Sequence, residues 1–222
     1  FIAKWSKDSD RRLHRVFSYL NSAKDVTLKG ELSSEDLSAA TIVAWPDADL
    51  AGDLLITRST SGYFIEIEGL KGRTFPMTWG SRKQGATADC TAVAETISLA
   101  RCLRDEVWPL QYLMQKLLKR PVTARLMEDN AACIVAIKKG FSPSMRHLQR
   151  TMRISLGSLH EAITCEEPED REMHLCKAAS EVHKGDLFTK EMDGPRFEKA
   201  LGLIKMTSTP PDTTSECTCG AP

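Results

Sequence analysis

From residue 9 to 21 the sequence SDRRLHRVFSYLN places Leu13, Val16, Phe17 and Leu20 on one stripe at helical spacing. The polar stretch that follows, SAKDVTLKGELSSEDLS, has no such period and reads as a linker. Strand patterns then take over. Residues 40–46 are an apolar run, and in GYFIEIEG the residues Tyr63, Ile65 and Ile67 alternate with Phe64, Glu66 and Glu68. A glycine-flanked turn leads into a third strand, RTFPMTWGS, where Pro76 cannot donate to a ladder and so predicts a sheet edge.

Helical spacing returns after that. Residues 88–104 are helical by composition, and residues 109–119 put Leu110, Leu113, Met114 and Leu117 on one stripe behind Pro109 in the first turn. PVTARLME reads as a strand and NAACIVAIKKG as a helix closed by Gly140. Residues 144–163 read as one long amphipathic helix with Met145, Leu148, Met152, Leu156, Leu159 and Ile163 on one side and a ridge of Arg146, Arg150 and Arg153 elsewhere on it. An acidic loop, a strand at 172–179 and a short helix around 195–205 follow, and the last sixteen residues have the composition of a disordered tail. Hairpin-linked strands followed by alternating helices and strands predict an α/β domain with a mixed sheet.

Composition narrows the setting. The chain has 222 residues, 41% of them hydrophobic, which is enough for a core, and no apolar run approaches the length of a membrane span. It begins with Phe rather than Met, which reads as a piece of a longer protein, and it opens on no signal-peptide pattern. Seven scattered cysteines without a Cys-x-x-Cys pair suggest reduced thiols and an intracellular setting, cytoplasm or nucleus; Cys217 and Cys219 in the tail are too few ligands for a zinc site. Net charge is zero but uneven: residues 111–160 carry nine Lys and Arg against two acids. A local basic face of that kind leaves a nucleic-acid partner open.

The carboxylates carry the chemical question. WPDADLAGD follows an apolar strand with three aspartates and no Lys or Arg beside them in sequence. Asp47 alone reads as a turn residue after Pro46, and Asp129 and Asp186 alone read as helix N-caps. Glu95 resists such a reading. It shares a helical face with Ala88, Ala92, Leu99 and Cys102, with no Lys or Arg three or four positions away. An unpaired carboxylate in an apolar stripe is costly unless a cation or solvent meets it.

The ordered series WPDADLAGD, RSTSGY, WGSRKQ, TAVAETISLA, EDNAACIVA and HKGDLFTK resembles the consecutive motifs of the ribonuclease H domain in copia-type LTR retrotransposon Pol polyproteins. The resemblance spans about residues 40–206. It implies a ribonuclease H-like fold, with a five-stranded mixed sheet of three antiparallel and then two parallel strands flanked by helices. It also implies that the four active-site and metal-binding acids are Asp47, Glu95, Asp129 and Asp186. Residues 1–38 then correspond to a connection helix and linker from a preceding reverse transcriptase, 39–206 to the ribonuclease H-like domain and 207–222 to the tail. Val93, Thr96 and Leu50 depart from the family's Glu, aromatic and Trp, while all four acids are intact.

The reaction so implied is hydrolysis of the RNA strand of an RNA–DNA hybrid. Carboxylate oxygens suit Mg²⁺ or Mn²⁺, and two ions about 3.5–4 Å apart clamp the scissile phosphate in such sites. Candidate contacts to the hybrid are Arg58, Ser59, Ser61, Arg82, Lys83 and Gln84, with the Arg146, Arg150 and Arg153 ridge able to meet phosphates or simply face solvent. His183 reads as an exposed loop histidine rather than a proton shuttle. Two other readings stay open: an inactive copy that keeps the fold and binds hybrids, and another nuclease or integrase of the superfamily. The glutamate's place, second in order, favours ribonuclease H over integrases.

Overall fold

A computed structural model describes residues 5–52, 57–163 and 172–208. The acidic loop from 164 to 171 and the tail from 209 onward, with Cys165, Cys217 and Cys219, lie outside the described residues.

Strands β2 (Thr41–Asp49), β3 (Thr60–Glu68) and β4 (Thr74–Lys83) run antiparallel, and β5 (Ala124–Glu128) and β6 (Met173–Lys177) join β2 in parallel, giving the order β4-β3-β2-β5-β6. This is the ribonuclease H-like arrangement that the motif order implied. A two-residue pair, β1 (Thr27–Leu28) with β7 (Met206–Thr207), sits apart from the main sheet.

The two prolines in the sheet show how the chain tolerates a missing donor. Pro76 lies on the edge strand, as predicted, and the register slips beside it: Ile65 pairs with Thr78 but Glu66 with Pro76, so Met77 has no partner. Pro46 lies in the central strand, and the strand runs through it to Asp49 rather than ending at 46. Ile42 donates its N–H to Thr123 beside β5, so by alternation residue 46 faces the same way. The β2–β5 ladder stops at Ala44, so the absent N–H falls just past its end.

Helix α2 (Thr91–Cys102) crosses the sheet with every residue but Thr91 and Arg101 buried. Its small residues allow that depth, and the Ser98 hydroxyl donates to the Asp47 carbonyl at 2.7 Å. A π-helical turn, Leu103–Val107, joins it to α3 (Trp108–Leu118), directly before Pro109, whose missing N–H removes a donor from the regular pattern. On α3 only part of the predicted stripe packs: Met114 is buried and Leu110 rests on the core, whereas Leu113 and Leu117 are exposed.

Helix α4 (Ala131–Lys139) ends at Gly140, which takes φ 66° as the sequence predicts. The single helix expected over 144–163 is instead two, α5 (His147–Thr151) and α6 (Leu156–Ile163). Between them Arg153 adopts φ 56°, and Met152 and Ile154 both donate to the Leu148 carbonyl. The apolar period survives the break because Met145, Leu148, Leu156, Leu159 and Ile163 all still reach the core. The arginine ridge does not survive it, since Arg146, Arg150 and Arg153 no longer share one helix face.

The stretch read as a linker is held by a buried anion. Asp36 receives Arg73 in a two-pronged bridge at 2.7 and 3.0 Å together with the Ser33 amide and hydroxyl. The Arg73 guanidinium holds its carboxyl well below the usual carboxylate range. The first helix, α1 (Lys7–Ser22), contributes no buried residue: Leu13, Val16, Phe17 and Leu20 stay exposed, and its Tyr19 ring meets Phe197 of α7 (Gly194–Leu203) edge-on at 5.6 Å.

Candidate active site

The parallel strands β2 and β5 end side by side, and each delivers an acid there: Asp47 from β2 and Asp129 just after β5. Crevices outside the carboxyl ends of strands are the usual place for ligands in α/β sheets. Glu95 reaches the same point from α2. The carboxylate oxygens of Asp47, Glu95 and Asp129 lie within 4.8 Å of one another. Asp186 comes from the 3₁₀ turn Lys184–Phe188, which packs over β2 and β3, and joins through Asp47: ligand atoms of Asp47, His183 and Asp186 also lie within 4.8 Å. The four predicted acids are therefore brought together, with Asp47 common to both groups.

The isolated readings fare differently. Asp129 does not cap α4; Asn130 does, accepting from the Cys133 amide at 3.0 Å, while Asp129 accepts from the Ser180 hydroxyl at 2.8 Å. Asp47 is inside the strand, fully buried, and not in a turn. His183 is 2% exposed, so the expectation of a solvent-facing histidine is overturned. Its Nε2 lies 3.0 Å from the Met127 carbonyl, its Nδ1 lies 3.6 Å from Asp186, and its ring stands edge-on to Trp45. These contacts come from β2 and the end of β5, so the burial could not be read from the letters flanking residue 183.

Electrostatically the cluster is strained toward protonation. Burial, then the charges of Asp47, Glu128 and Asp129, pushes Glu95 up to about 10. Its Oε2 is buried with no hydrogen-bond partner. Glu128, which sequence reasoning missed, is 1% exposed and is pushed up to about 8, chiefly by burial, although it accepts from the Asn130 amide at 3.0 Å. Burial also raises Asp49 and Asp186, with Asp47 adding to both.

The cation absent from the sequence neighbourhood of Asp47 arrives from far along the chain. Lys190 Nζ lies 3.2 Å from Asp47 Oδ1 and 2.7 Å from Asp186 Oδ1, and the Thr189 hydroxyl donates to the other oxygen of Asp47. Burial alone would lower the Lys190 ammonium's pKa; Asp47 and Asp186 more than reverse this and raise it. The spacing of Asp186 and Lys190, i and i+4, was the available signal for this pair.

Tight packing fixes the turn that carries Asp186. Lys184 pairs with buried Glu66, which also accepts from Trp45 Nε1 at 3.1 Å, and Phe188 stacks on Phe64. A Cβ on Gly185 would stand 2.5 Å from the Trp45 carbonyl oxygen and 2.8 Å from Asp47 Cβ. Gly185→Ala is accordingly expected to destabilise the fold by about 1–3 kcal/mol, the usual range for overpacking, and to displace Asp186. Chemical denaturation measures this, and an unchanged midpoint would count against the close approach.

Of the predicted hybrid contacts, Ser59 and Gln84 turn inward. Both are fully buried; the Ser59 hydroxyl accepts from the Ala51 amide, and Gln84 Nε2 donates to Ser61 Oγ and the Ala94 carbonyl, each at 2.9 Å. They brace the rim rather than face a ligand. Arg58, Arg82 and Lys83 are exposed on it. Asp49 pairs with Thr60 and Thr60 with Lys83, so Lys83 lies two strand spacings, about 10 Å, from the acid-bearing strand. A crevice of about 390 Å³ is bordered by Asp49, Glu95, Asp129 and Lys190.

The sheet order is that of a ribonuclease H-like fold. No family model matches the chain. It is 21% identical over 164 residues to the retrovirus-related Pol polyprotein from transposon TNT 1-94 of Nicotiana tabacum, covering 74% of this chain and 11% of that protein. It is 32% identical over 96 residues to secreted RxLR effector protein 161 of Plasmopara viticola, covering 43% of this chain and 61% of the effector. Among solved structures it is similar to ribonuclease H1 of Halobacterium salinarum, with a TM-score of 0.44 and 13% identity over 67% of this chain and 94% of the other. The polyprotein match agrees with the resemblance read from the six motifs. Among the described residues no helix is long and apolar enough to cross a membrane.

Proposed function

We propose that the chain is a metal-dependent endonuclease that hydrolyses the RNA strand of RNA–DNA hybrids, as part of a copia-type retrotransposon reverse transcriptase polyprotein. The observation that carries this is the gathering of Glu95, Asp129 and Asp186 around Asp47, with an unpartnered Glu95 oxygen buried among them. A buried, unpaired carboxylate is costly, and an all-oxygen donor set fits a hard divalent cation. Mg²⁺ or Mn²⁺ held by these acids, two ions in the reading from the motifs, would supply Lewis-acid activation of water and neutralise the phosphate.

The chain's own residues do the rest. Asp47, common to both groups of ligand atoms, fixes the centre of the site, and Ser98 anchors its carbonyl. The turn carrying Asp186 is clamped by Lys184 and Glu66. Arg58, Arg82 and Lys83 on the rim bind backbone phosphates, and Ser61 beside them is the candidate for the sugar hydroxyls that distinguish RNA. The exposed apolar stripe of α1, Leu13, Val16, Phe17 and Leu20, is the surface by which residues 1–38 would meet the reverse transcriptase domain of the same polyprotein.

A strand-labelled hybrid incubated with Mg²⁺ is expected to lose its RNA strand only, with duplex DNA and duplex RNA intact and a chelator stopping the reaction. Binding without cleavage would favour the inactive hybrid-binding alternative, and cleavage of duplex DNA would favour a different nuclease. Hybrid affinity is expected to fall with salt. Arg82→Ala with Lys83→Ala is expected to reduce the slope of log K against log salt by about 2, because each of these cations neutralises one phosphate. An unchanged slope in a filter-binding titration would remove the rim from the interface.

A further inference from the structure

The two groups of ligand atoms around Asp47 are not equivalent. The one with Glu95 and Asp129 has a buried oxygen without a partner and borders the open crevice. The one with Asp186 and His183, whose buried Nδ1 also lacks a hydrogen-bond partner, already holds a positive charge: the Lys190 ammonium bridges Asp47 Oδ1 and Asp186 Oδ1 at 3.2 and 2.7 Å, and the Thr189 hydroxyl donates to the other oxygen of Asp47. Those are the oxygens a second divalent ion would need.

We propose that Lys190 is a resident cation occupying the place of one of the two metal ions, so that the hybrid-free protein takes a single divalent ion, at Asp47, Glu95 and Asp129. This rests on the metal-dependent reading above. The ammonium blocks the second position in two ways. It fills the space between Asp47 Oδ1 and Asp186 Oδ1 and takes one lone pair of each, and it places a like charge within a few ångströms of an ion entering there. Lys190 is tethered four residues after Asp186 on a turn that Lys184, Glu66 and Phe188 hold in place, so leaving the site means moving its own side chain rather than the backbone. Its side chain is 38% exposed, which leaves it an open path toward the crevice and toward a phosphate bound there.

The test is the stoichiometry of Mn²⁺ binding to the whole chain without nucleic acid, by calorimetry and by the loss of free-ion paramagnetic resonance signal. The parent is expected to bind one equivalent and to show no second one up to at least tenfold above the first dissociation constant. Lys190→Met is expected to bind two equivalents in that range. Lys190→Gln, nearly isosteric and able to keep a hydrogen bond to Asp186, is expected to do the same should the Met variant fold poorly. Lys190→Arg keeps the charge and should stay at one. Two equivalents in the parent, or one in both neutral variants, overturn the lysine's role while leaving the metal-dependent nuclease intact. No binding by parent or variants, with no cleavage of the hybrid, overturns that nuclease reading and the lysine's role with it.

Discussion

Asp129→Asn is expected to reduce hybrid cleavage by about three orders of magnitude or more, since several kcal/mol of charge stabilisation at a metal site correspond to roughly a decade per 1.4 kcal/mol. The same substitution is expected to leave the metal-free fold at least as stable as the parent. The reason is local. Asn130, not Asp129, caps α4, so the cap is untouched, and the Ser180 hydroxyl that donates to Asp129 can donate equally to the amide oxygen. One negative charge meanwhile leaves a crowded cluster in which like charges oppose one another. Cleavage rates and a chelator-treated thermal melt check both halves. A variant that cuts at the parent's rate would take Asp129 out of the chemistry, and one that melts far lower would make it a structural anchor.

The metal-free protein is expected to lose stability as pH rises from about 5 to about 9, and Mg²⁺ to restore it most strongly at the alkaline end. Glu95 keeps its proton in the fold up to about 10, and Glu128 up to about 8, both through burial and neighbouring carboxylates. Unfolded, each releases its proton near the ordinary value of 4.5. Between those limits the unfolded chain binds fewer protons, so stability present below about 4.5 drains away as pH climbs. The lowered carboxyl of Asp36 acts in the opposite sense but only in acid, below the range in question. Metal binding needs the deprotonated carboxylates and binds the fold alone, so it contributes about 2.7 kcal/mol at a hundredfold excess over its dissociation constant, and more readily as pH rises. Glu95→Gln should flatten the metal-free profile and shrink the Mg²⁺ gain together. Urea titrations at a series of pH values, with chelator and with Mg²⁺, measure both; a metal-free profile that rises toward pH 9 would contradict the buried-acid account.

Much of this architecture is written in local periods. The proline on β4 and the glycine after α4 follow from chemistry within a few residues and stand where they were expected, whereas β3, whose alternation reads as a half-buried strand, buries Phe64 and Glu66 on one face as well as Ile65 and Ile67 on the other. The break between α5 and α6 was hidden because the apolar period continues across it, leaving only a single arginine in a left-handed conformation to mark the turn. At the site, Glu95 was legible as an acid lacking a helical partner, and the other three acids through the order of the motifs. Glu128, His183 and Lys190 were not, because what matters about them is burial and pairing between residues as distant as 47 and 190. The inward turn of Ser59 and Gln84 was equally hidden, since polar side chains near a rim look alike in sequence whether they face a ligand or brace the core.

Pro46 has a further role once the neighbouring strand is considered. Continuing the β2–β5 register one step past Ala44 and Leu126 would point the N–H of residue 46 at the carbonyl of Met127. Proline has no such hydrogen, and that carbonyl is instead within 3.0 Å of His183 Nε2. The ring of a residue three positions before Asp186 thus takes the rung that the backbone gave up. One missing hydrogen in a central strand leaves a carbonyl free to serve as the peg on which the turn carrying the fourth acid hangs.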